Sequence, residues 1–578
     1  MVGKEIGNVI SADYNEGVVA LLNKYSLTEN VSVNSLVIIR GSSRNYLGLM
    51  SDIFLSSNTS DVTSLLRYYN TSKNRNIRDK LMIKTKESLS NLEKLNTNIH
   101  IIPLAQTNGE EIEDVDTIPS FFSQVVTPVS EEIKTFYGIP DNQRYWGLGY
   151  PKSPLKNENI ETIIPIDINT LLRGSFGIFG KTGTGKTVLG NIICGFLILA
   201  NKLKSLDKEV KLLIFDMHSE YGLKIKDMKG EDYAEGVGLA FKNEFLRYSA
   251  DKALAKEHIL EELKISVIDL DEADIISLKE ELDLSESFIS YLHEFRIILN
   301  EIIEKEYVEK YNSFPELKDK KSKAWILYLT GYFDKYEKQR EILENKISKT
   351  INERLGPGAI GALRAGKAKI SSIMNYDYIE YFTEKDSVNE IVNEILDGQR
   401  SVIISLGRYG DDSRANILIA NLVSKRLWKT IINRIMNRKE IKYKVLIFIE
   451  EAHKFLSPSL YYKTPFGNIA RELRKRGVFL CIIDQTPSQI SEEILAMLWN
   501  FFILTLTDEK DIKSATFALK KSELFSTVVS YLKRQEALVY GEAVKIPVVI
   551  KIREYKDFIE EAKRIYSNLL SKAELPGF

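Results

Sequence analysis

The sequence predicts an α/β protein, in which a parallel sheet is covered by helices on both faces. A glycine-rich segment, GKTGTGKT at 180–187, lies between an apolar run typical of a strand and an apolar run typical of a helix. Strand-like and helix-like runs then alternate over about 150–222 and 400–550, which is typical of parallel sheets. Before this core, short apolar runs separated by turn residues predict a small β-barrel.

These patterns divide the chain into predicted domains. Residues 1–150 are expected to form the β-barrel, as a binding or assembly module, and residues 151–225 with 396–552 the α/β core. Between the two parts of the core, 226–395 is predicted to be an inserted, mainly helical domain. Its segment 253–349 is rich in Glu, Lys, Leu and Ile at helical spacing. Residues 553–578 are expected to form a C-terminal arm.

Composition limits the classes of function. The 578 residues carry a formal net charge of −1, so the surface as a whole is not the basic coat of a general nucleic-acid binder. Contacts with nucleic acid must then come from local basic patches. With two cysteines and five histidines that form no cluster, neither a disulfide framework nor a zinc site is expected. The longest apolar run, near 188–200, is too short to span a bilayer, so we expect a cytoplasmic protein without a membrane segment.

The glycine-rich segment fits the nucleotide-phosphate pattern G-x-x-x-x-G-K-[ST]. Its glycines let the backbone curl so that N–H groups point at phosphate oxygens, and the following helix adds its N-terminal dipole. Lys186 is expected to reach the β- and γ-phosphates of ATP, and Thr187 to give its hydroxyl to Mg²⁺. The residues predicted to bind the nucleotide are Gly180, Thr182, Gly183, Thr184, Gly185, Lys186, Thr187 and Val188.

Two acids follow the apolar run 445–449. The carboxyl end of a parallel strand is where such proteins build their sites. Glu450 is therefore predicted to face the Mg²⁺ ion, and Glu451 to polarise the water that attacks the γ-phosphate. Asp216, which ends an earlier apolar run, is a secondary candidate for the same metal cluster. A pair of solvated carboxylates is the alternative interpretation of the two glutamates.

Gln485 ends the next predicted strand, in IIDQTPSQ. A glutamine at this position can sense the γ-phosphate and relay its loss, and the alternative is a polar residue that begins a turn. The segment RELRKRG places Arg471 and Arg474 at i and i+3, on one face of a predicted helix. Three interpretations remain open for these arginines: a finger that reaches the γ-phosphate of a neighbouring subunit, a DNA phosphate contact, and a solvated basic helix.

Taken together, five segments resemble the HerA branch of the HerA–FtsK ATPase superfamily, archaeal DNA translocases that work with the nuclease NurA. In chain order they are FGIFGKTGTGKT, LLIFDMHSEY, VLIFIEEAHKFL, IARELRKRGVFLCIIDQTPSQI and GEAVKIPVVIKI. The resemblance covers about 160–225, 400–552 and the N-terminal module. Two departures stand out: Arg173 is followed by Gly174 where relatives often carry Arg-His, and Leu473 replaces the glycine of the usual R-E-G-R-K.

The resemblance implies a RecA-like core in a homo-hexameric ring with a central channel for double-stranded DNA. It gives Lys186 and Thr187 the Walker A roles, Glu450 and Glu451 the Walker B roles, and Gln485 the sensor role. Arg471 or Arg474 would act in trans across the subunit interface. The N-terminal barrel would join subunits and meet a nuclease of the NurA type.

The expected function is therefore that of an ATP-driven, nucleoid-associated DNA translocase or helicase. It would act with a partner nuclease in DNA end resection and double-strand break repair. The alternatives are a DNA pump for conjugation or packaging, and a slow nucleotide-dependent assembly scaffold. The basic stretches 318–323 and 364–369 are candidates for contacts with DNA in the channel.

Overall fold

The computed structural model describes residues 3–23, 28–55, 97–109, 111–156, 158–226, 229–305, 321–462 and 464–573. The charged segment 70–95 and the basic residues 318–320 lie outside the described residues. The chain divides into two units, the first formed by Met1–Asp207 with Ile482–Phe578 and the second by Lys208–Cys481. The predicted domain boundaries, which divide the chain differently, stay predictions.

The described strands are, in chain order, β1 (Glu5–Asp13), β2 (Gly17–Leu22), β3 (Ser35–Arg40), β4 (Asn45–Leu55), β5 (Thr97–Thr107), β6 (Ile112–Glu113), β7 (Gln124–Val126), β8 (Tyr145–Pro151), β9 (Ile164–Asp167), β10 (Ser175–Phe179), β11 (Val210–Asp216), β12 (Lys224–Lys226), β13 (Asp232–Glu235), β14 (Phe245–Ser249), β15 (Glu261–Glu262), β16 (Ile265–Ser266), β17 (Ile379–Glu380), β18 (Ser401–Ser405), β19 (Lys444–Glu450), β20 (Val478–Asp484), β21 (Leu498–Ile503), β22 (Glu536–Gly541) and β23 (Val548–Ile552).

The described α-helices are α1 (Ser130–Tyr137), α2 (Ile168–Leu171), α3 (Lys186–Leu203), α4 (Val237–Ala240), α5 (Lys252–His258), α6 (Glu272–Ser277), α7 (Glu286–Ile303), α8 (Ala324–Leu329), α9 (Glu337–Leu355), α10 (Pro357–Ile370), α11 (Ser387–Asp397), α12 (Ser413–Met436), α13 (His453–Leu456), α14 (Pro465–Asn468), α15 (Glu492–Ala496), α16 (Glu509–Thr516), α17 (Ser522–Ser530) and α18 (Tyr555–Ala573).

The N-terminal strands form a closed antiparallel barrel. Strands β1, β2, β5, β4, β3 and β7 pair in that order, and β7 pairs with β1 to close the ring. Alternate residues fill the interior, and Val37, Ile39 and Ile99 are among those without solvent exposure. The predicted small β-barrel is therefore confirmed.

The rest of the first unit builds a mixed sheet. Strands β10 and β21 pair in parallel, and β22, β23, β8 and β9 follow in antiparallel order. The predicted closing hairpin is β22 with β23. The predicted α/β fold with its parallel strands is thus confirmed, and an antiparallel edge extends it.

The second unit holds a parallel run of strands in the order β15, β14, β18, β11 and β19. Every residue of β11 is buried, which explains why its sequence is a nearly continuous apolar run. Strand β14 lies within the segment predicted to be mainly helical. Its sequence, FLRYS, is short and half polar, and pairing with β18 makes it a strand. The helical spacing in the same segment is confirmed by α7, α8, α9 and α10, which pack on one another.

Helix α3 is the buried centre of the first unit. Its residues 189–200 are all buried, because α18 covers one side of it. The ring centroid of Phe196 lies 5.3 Å from that of Trp146 and 5.2 Å from that of Phe558 on α18. Among the described residues α3 is the one helix long and apolar enough to cross a membrane, and 67% of it is buried, as in a core helix.

Gly195 sets the distance between α3 and α18, and we expect Gly195→Val to destabilise the first unit. A Cβ at this position would lie 2.6 Å from Cζ of Phe558, so a branched side chain must push the two helices apart. Overpacking of this kind costs about 1–3 kcal/mol. In differential scanning calorimetry, the unfolding transition of the first unit should occur at a lower temperature than in the parent chain. Gly361→Val on α10, where a Cβ meets no atom within 4 Å, is the matched control. Equal transition temperatures for both variants and the parent chain would contradict this packing argument.

Candidate nucleotide-binding site

The glycine-rich loop connects β10 to α3. Gly183 and Gly185 have φ angles of 75° and 115°, in the region that side chains disfavour. A Cβ on Gly183 would meet no atom within 4 Å, so this glycine is required by its backbone angle and not by lack of space. The left-handed turns bring the chain round into the N-terminus of α3, as a phosphate-binding loop requires.

Three neighbouring segments hold the loop through its main chain. Gly180 N donates to the carbonyl oxygen of Asp484 at 3.1 Å, and Lys181 N donates to that of Thr505 at 3.0 Å. On the other side, the carbonyl oxygen of Thr184 accepts from Gln535 N at 3.1 Å. These three hydrogen bonds join main-chain atoms only, and the hydroxyl of Thr184, which donates to the carbonyl oxygen of Lys181 at 2.7 Å, adds a contact within the loop.

Lys186 folds its side chain back over the loop. Its Nζ donates to the carbonyl oxygens of Gly180 at 2.7 Å and of Lys181 at 3.1 Å. These oxygens hold the ammonium group at the mouth of the loop, where phosphate oxygens are the stronger acceptors. Thr187 and Val188 follow in the first turn of α3, half-buried, and Asn191 Nδ2 donates to the carbonyl oxygen of Thr187 at 3.0 Å.

The structure brings Gln485 to the phosphate loop. Thr182 Oγ1 donates to Gln485 Oε1 at 2.7 Å, so the glutamine that follows β20 contacts the loop directly. The turn after β20 is fixed by Asp484, whose Oδ1 accepts from Thr486 N at 2.9 Å. The position of Gln485 fits a γ-phosphate sensor, and the sensor role stays a prediction.

The two glutamates lie in the second unit, at the carboxyl end of β19. Parallel pairing sets Ile449 beside Phe215 of β11, so Glu450 and Asp216 end neighbouring strands at one sheet edge. Glu451 has a φ angle of 49°, which is uncommon for a residue with a side chain. Such strain persists only where the surroundings enforce it, and it clusters at functional sites.

His453 lies close to the strained glutamate. Its Nε2 is 3.9 Å from Oε2 of Glu451, and both side chains are about three-quarters buried. The contact restricts the direction of the Glu451 carboxylate. In the sequence, only the closeness of the two residues along the chain indicates this contact.

The carboxylate of Asp216 accepts hydrogen bonds from the turn that follows β11. Its Oδ1 accepts from Glu220 N at 2.9 Å, and its Oδ2 accepts from Gly222 N at 2.7 Å and Ser405 Oγ at 3.2 Å. Burial raises the pKa of Asp216 to about 6, against the lowering effect of these hydrogen bonds. The carboxylate is thus occupied as a structural acceptor, which leaves it poorly suited to bind a metal ion.

The predicted basic helix is not regular. After α14, the residues Ile469–Leu473 form a π-helical turn and Arg474–Arg476 a 3₁₀ turn. The regular α-helix on which the i, i+3 argument rests is therefore not present, and a shared face for Arg471 and Arg474 stays a prediction. Arg471 is exposed, with its guanidinium donating to Asn468 Oδ1 at 2.7 Å, whereas Arg474 is half-buried. Isolated π-helical turns occur often at functional sites.

Comparison with known proteins agrees with the motifs. Residues 153–427 match a protein-family model described as "Helicase HerA, central domain". The DNA double-strand break repair helicase HerA of Saccharolobus solfataricus is 26% identical over 93% of this chain and 92% of that protein. The protein of the same name from Sulfurisphaera tokodaii is 29% identical over 33% of this chain, and the match spans 45% of that protein, under half its length.

Among solved structures, the plasmid coupling protein TrwB in complex with a non-hydrolysable GTP analogue is 15% identical, with a TM-score of 0.41. The likeness covers 68% of this chain and 88% of that one.

The raised pKa of Asp216 predicts a specific dependence of stability on pH. Between 3.8 and about 6 the unfolded chain ionises this group before the folded chain does, so the folded state loses relative stability as the pH rises. Asp216→Asn should remove this pH-dependent change in the free energy of unfolding, which is on the order of 2–3 kcal/mol. The substitution also lowers stability at every pH, because it breaks hydrogen bonds that the carboxylate accepts.

The measurement is the slope of unfolding free energy against pH, from urea denaturation between pH 4 and pH 6.5. Asp411→Asn, which changes an exposed carboxylate of the same unit, is the control and should keep the parent slope. If the Asp216→Asn slope equals the parent slope, Asp216 is not ionising in this range.

Proposed function

We propose, from the confirmed similarity of this chain to the HerA helicases, that it hydrolyses ATP to move double-stranded DNA. The observation that carries the proposal is the loop itself: a left-handed glycine loop that leads into α3, with Lys186 at its mouth and Gln485 hydrogen-bonded to Thr182. A loop of this kind binds phosphates, and a polar residue in contact with it, such as Gln485, can sense whether the γ-phosphate is bound.

Phosphate binding would use residues that the loop already presents. The N–H groups of the loop and of the first turn of α3 surround the phosphates. The Lys186 ammonium exchanges its two carbonyl acceptors for phosphate oxygens, which are charged and so attract it more strongly. Thr187 and Glu450 are the residues that would hold Mg²⁺, which neutralises charge on the β- and γ-phosphates when it is bound. Asp216 is left out of this set, because its oxygens are already hydrogen-bonded.

Hydrolysis would depend on Glu451 as the group that polarises water. Its left-handed backbone aims the side chain away from the direction that a regular strand would give it. A nucleotide switch that only binds and releases does not require a strained carboxylate at this point. The strain therefore favours an active motor over the slow assembly scaffold.

Coupling between subunits would use the arginines. In a homo-hexamer, Arg471 or Arg474 would reach the γ-phosphate bound by the neighbouring subunit and stabilise charge in the transition state. An irregular π-helical and 3₁₀ segment can change its winding at little cost, which suits a group that must engage and withdraw.

Contacts with DNA would come from local patches, since the net charge is −1. The stretch 364–369 is not favoured, because its lysines are engaged: Lys367 pairs with Asp334 and Glu344, and Lys369 pairs with Asp283. Contacts with phosphates alone suit a motor that must ignore sequence. A nuclease of the NurA type at the β-barrel completes the proposal for end resection.

We expect linear duplex DNA to stimulate ATP hydrolysis, and Glu451→Gln to abolish it. Loss of a general base lowers turnover by about 10²–10⁴-fold, whereas the amide keeps the shape of the side chain, so ATP binding should remain. The measurement is the rate of phosphate release at several DNA concentrations, together with ATP affinity. Glu523→Gln, which changes an exposed glutamate on α17, is the matched control and should behave as the parent chain.

Slow turnover that ignores DNA in the parent chain would contradict the motor and favour the scaffold. DNA-stimulated turnover that requires a capsid or membrane partner would instead favour the packaging or conjugation pump.

The trans role of the arginines predicts a mixing effect. Arg471→Ala or Arg474→Ala should lower turnover by about 10³-fold with ATP affinity nearly unchanged, since a finger acts on the transition state. Mixing the inactive arginine variant with Lys186→Ala subunits should restore part of the activity. Where the loop of an arginine-variant subunit faces the arginine of a Lys186→Ala subunit, an intact loop meets an intact arginine, and only the reverse mixed interface lacks both.

Lys475→Ala, on the same segment, is the control and should keep full turnover. No recovery in any mixture would show that the arginines act within their own subunit or only on DNA.

A further inference from the structure

The turn formed by residues 531–536, between α17 and β22, supports the phosphate loop from the side opposite Gln485. Gln535 N donates to the carbonyl oxygen of Thr184 at 3.1 Å, and a Cβ on Gly185 would lie 3.9 Å from Cγ of Gln535. The same turn holds the second anchor of the loop. Thr505, whose carbonyl oxygen accepts from Lys181 N, donates its hydroxyl to the carbonyl oxygen of Leu532 at 3.0 Å.

The turn has a fixed and unusual conformation. Gln535 has a φ angle of 62°, in the left-handed region. It is held there by hydrogen bonds on both sides: Ile552 N donates to its carbonyl oxygen at 2.8 Å, and Lys533 N donates to Glu536 Oε2 at 2.9 Å. Strain that is enforced in this way commonly marks a ligand contact.

Two exposed cationic side chains, those of Lys533 and Arg534, lie on the strained turn. Lys533 and Arg534 are both exposed, and their charged groups have no hydrogen-bond or ion-pair partner within the part of the chain that the structure describes. Other cations of this unit are paired, for example Lys152 with Glu536 and Arg553 with Glu561. Two unpaired cations beside a phosphate loop point to an anionic ligand.

The two contacts of the loop give a bound nucleotide a direction. Thr182 contacts Gln485, the proposed sensor of the terminal phosphate, and Thr184 contacts the 531–536 turn. A nucleoside triphosphate that lies along the loop with its γ-phosphate toward Gln485 must then leave the loop on the side of the turn. We propose that Lys533 and Arg534 form the nucleoside side of the site, where they contact the face of the base. This inference rests on the proposed function.

The chemistry of both side chains fits this position. A guanidinium or ammonium group lies favourably over the face of an aromatic base. The contact is made equally to ATP and ADP, because both carry the nucleoside. Inorganic triphosphate lacks the nucleoside and is held by the loop alone.

Isothermal titration of the full chain with MgATP, MgADP and magnesium triphosphate tests the assignment. The double variant Lys533→Ala/Arg534→Ala is compared with Lys510→Ala/Lys513→Ala, which removes two exposed lysines on α16, as the charge-matched control. Gln485→Ala serves as the comparator for the opposite side of the loop. Thermal denaturation of each variant establishes that the fold is intact.

In the double variant the Kd values for ATP and ADP should both rise about tenfold, while the Kd for triphosphate stays within about twofold of the parent value. Gln485→Ala should affect ATP more than ADP. If the double variant kept the parent affinity for nucleotides, or lost affinity for triphosphate equally, the nucleoside assignment would be overturned. The proposed function would still stand in that case, provided that Lys186→Ala abolished ATP binding. If Lys186→Ala bound ATP as the parent chain does, the proposed function and this inference would fall together.

Discussion

The first unit depends on one constraint: the phosphate loop must keep a curved, left-handed path, which main-chain hydrogen bonds from outside the loop hold together with the side chains of Thr184 and Lys186. Gly183 and Gly185 allow this path, and hydrogen bonds from three other segments keep it. Those segments follow β20, β21 and α17, so the loop is fixed only when the sheet around it has formed. The buried helix α3 completes the support, because its packing against α18 fixes the direction in which its N-terminus points.

A comparable constraint governs the second unit. Parallel pairing of β11 with β18 and β19 brings their carboxyl ends to one edge, where Asp216 and Glu450 follow apolar residues. The side chains of these two acids lie in different environments. Asp216 turns inward and accepts hydrogen bonds from the next turn, at the expense of a raised pKa, whereas Glu450 stays partly exposed. A shared position at a strand end thus does not imply a shared role.

The sequence allowed prediction of whatever depends on local pattern. Glycine spacing predicts the phosphate loop, and alternation of apolar residues predicts the barrel strands and the β22–β23 hairpin. In these segments, contacts with neighbouring segments do not change the local structure. Features that arise from tertiary contact were missed. FLRYS becomes strand β14 only beside β18, the arginine segment winds as a π-helix, and Gln535 supports the loop through its main chain. A main-chain contact leaves no characteristic residue type in the sequence.

Strand β20 lies between the proposed γ-phosphate sensor and the arginine segment along the chain. Gln485, the proposed sensor, directly follows Asp484 at one end of this strand, and Arg476 and Gly477 directly precede Val478 at the other. Seven buried residues separate the two ends, about 20 Å along an extended strand. A buried strand resists bending, since its backbone groups are paired and its side chains packed on both faces. The π-helical and 3₁₀ turns before the strand have poorer hydrogen-bond geometry, so Gln485 follows a rigid segment whereas Arg471 and Arg474 lie on a less constrained one.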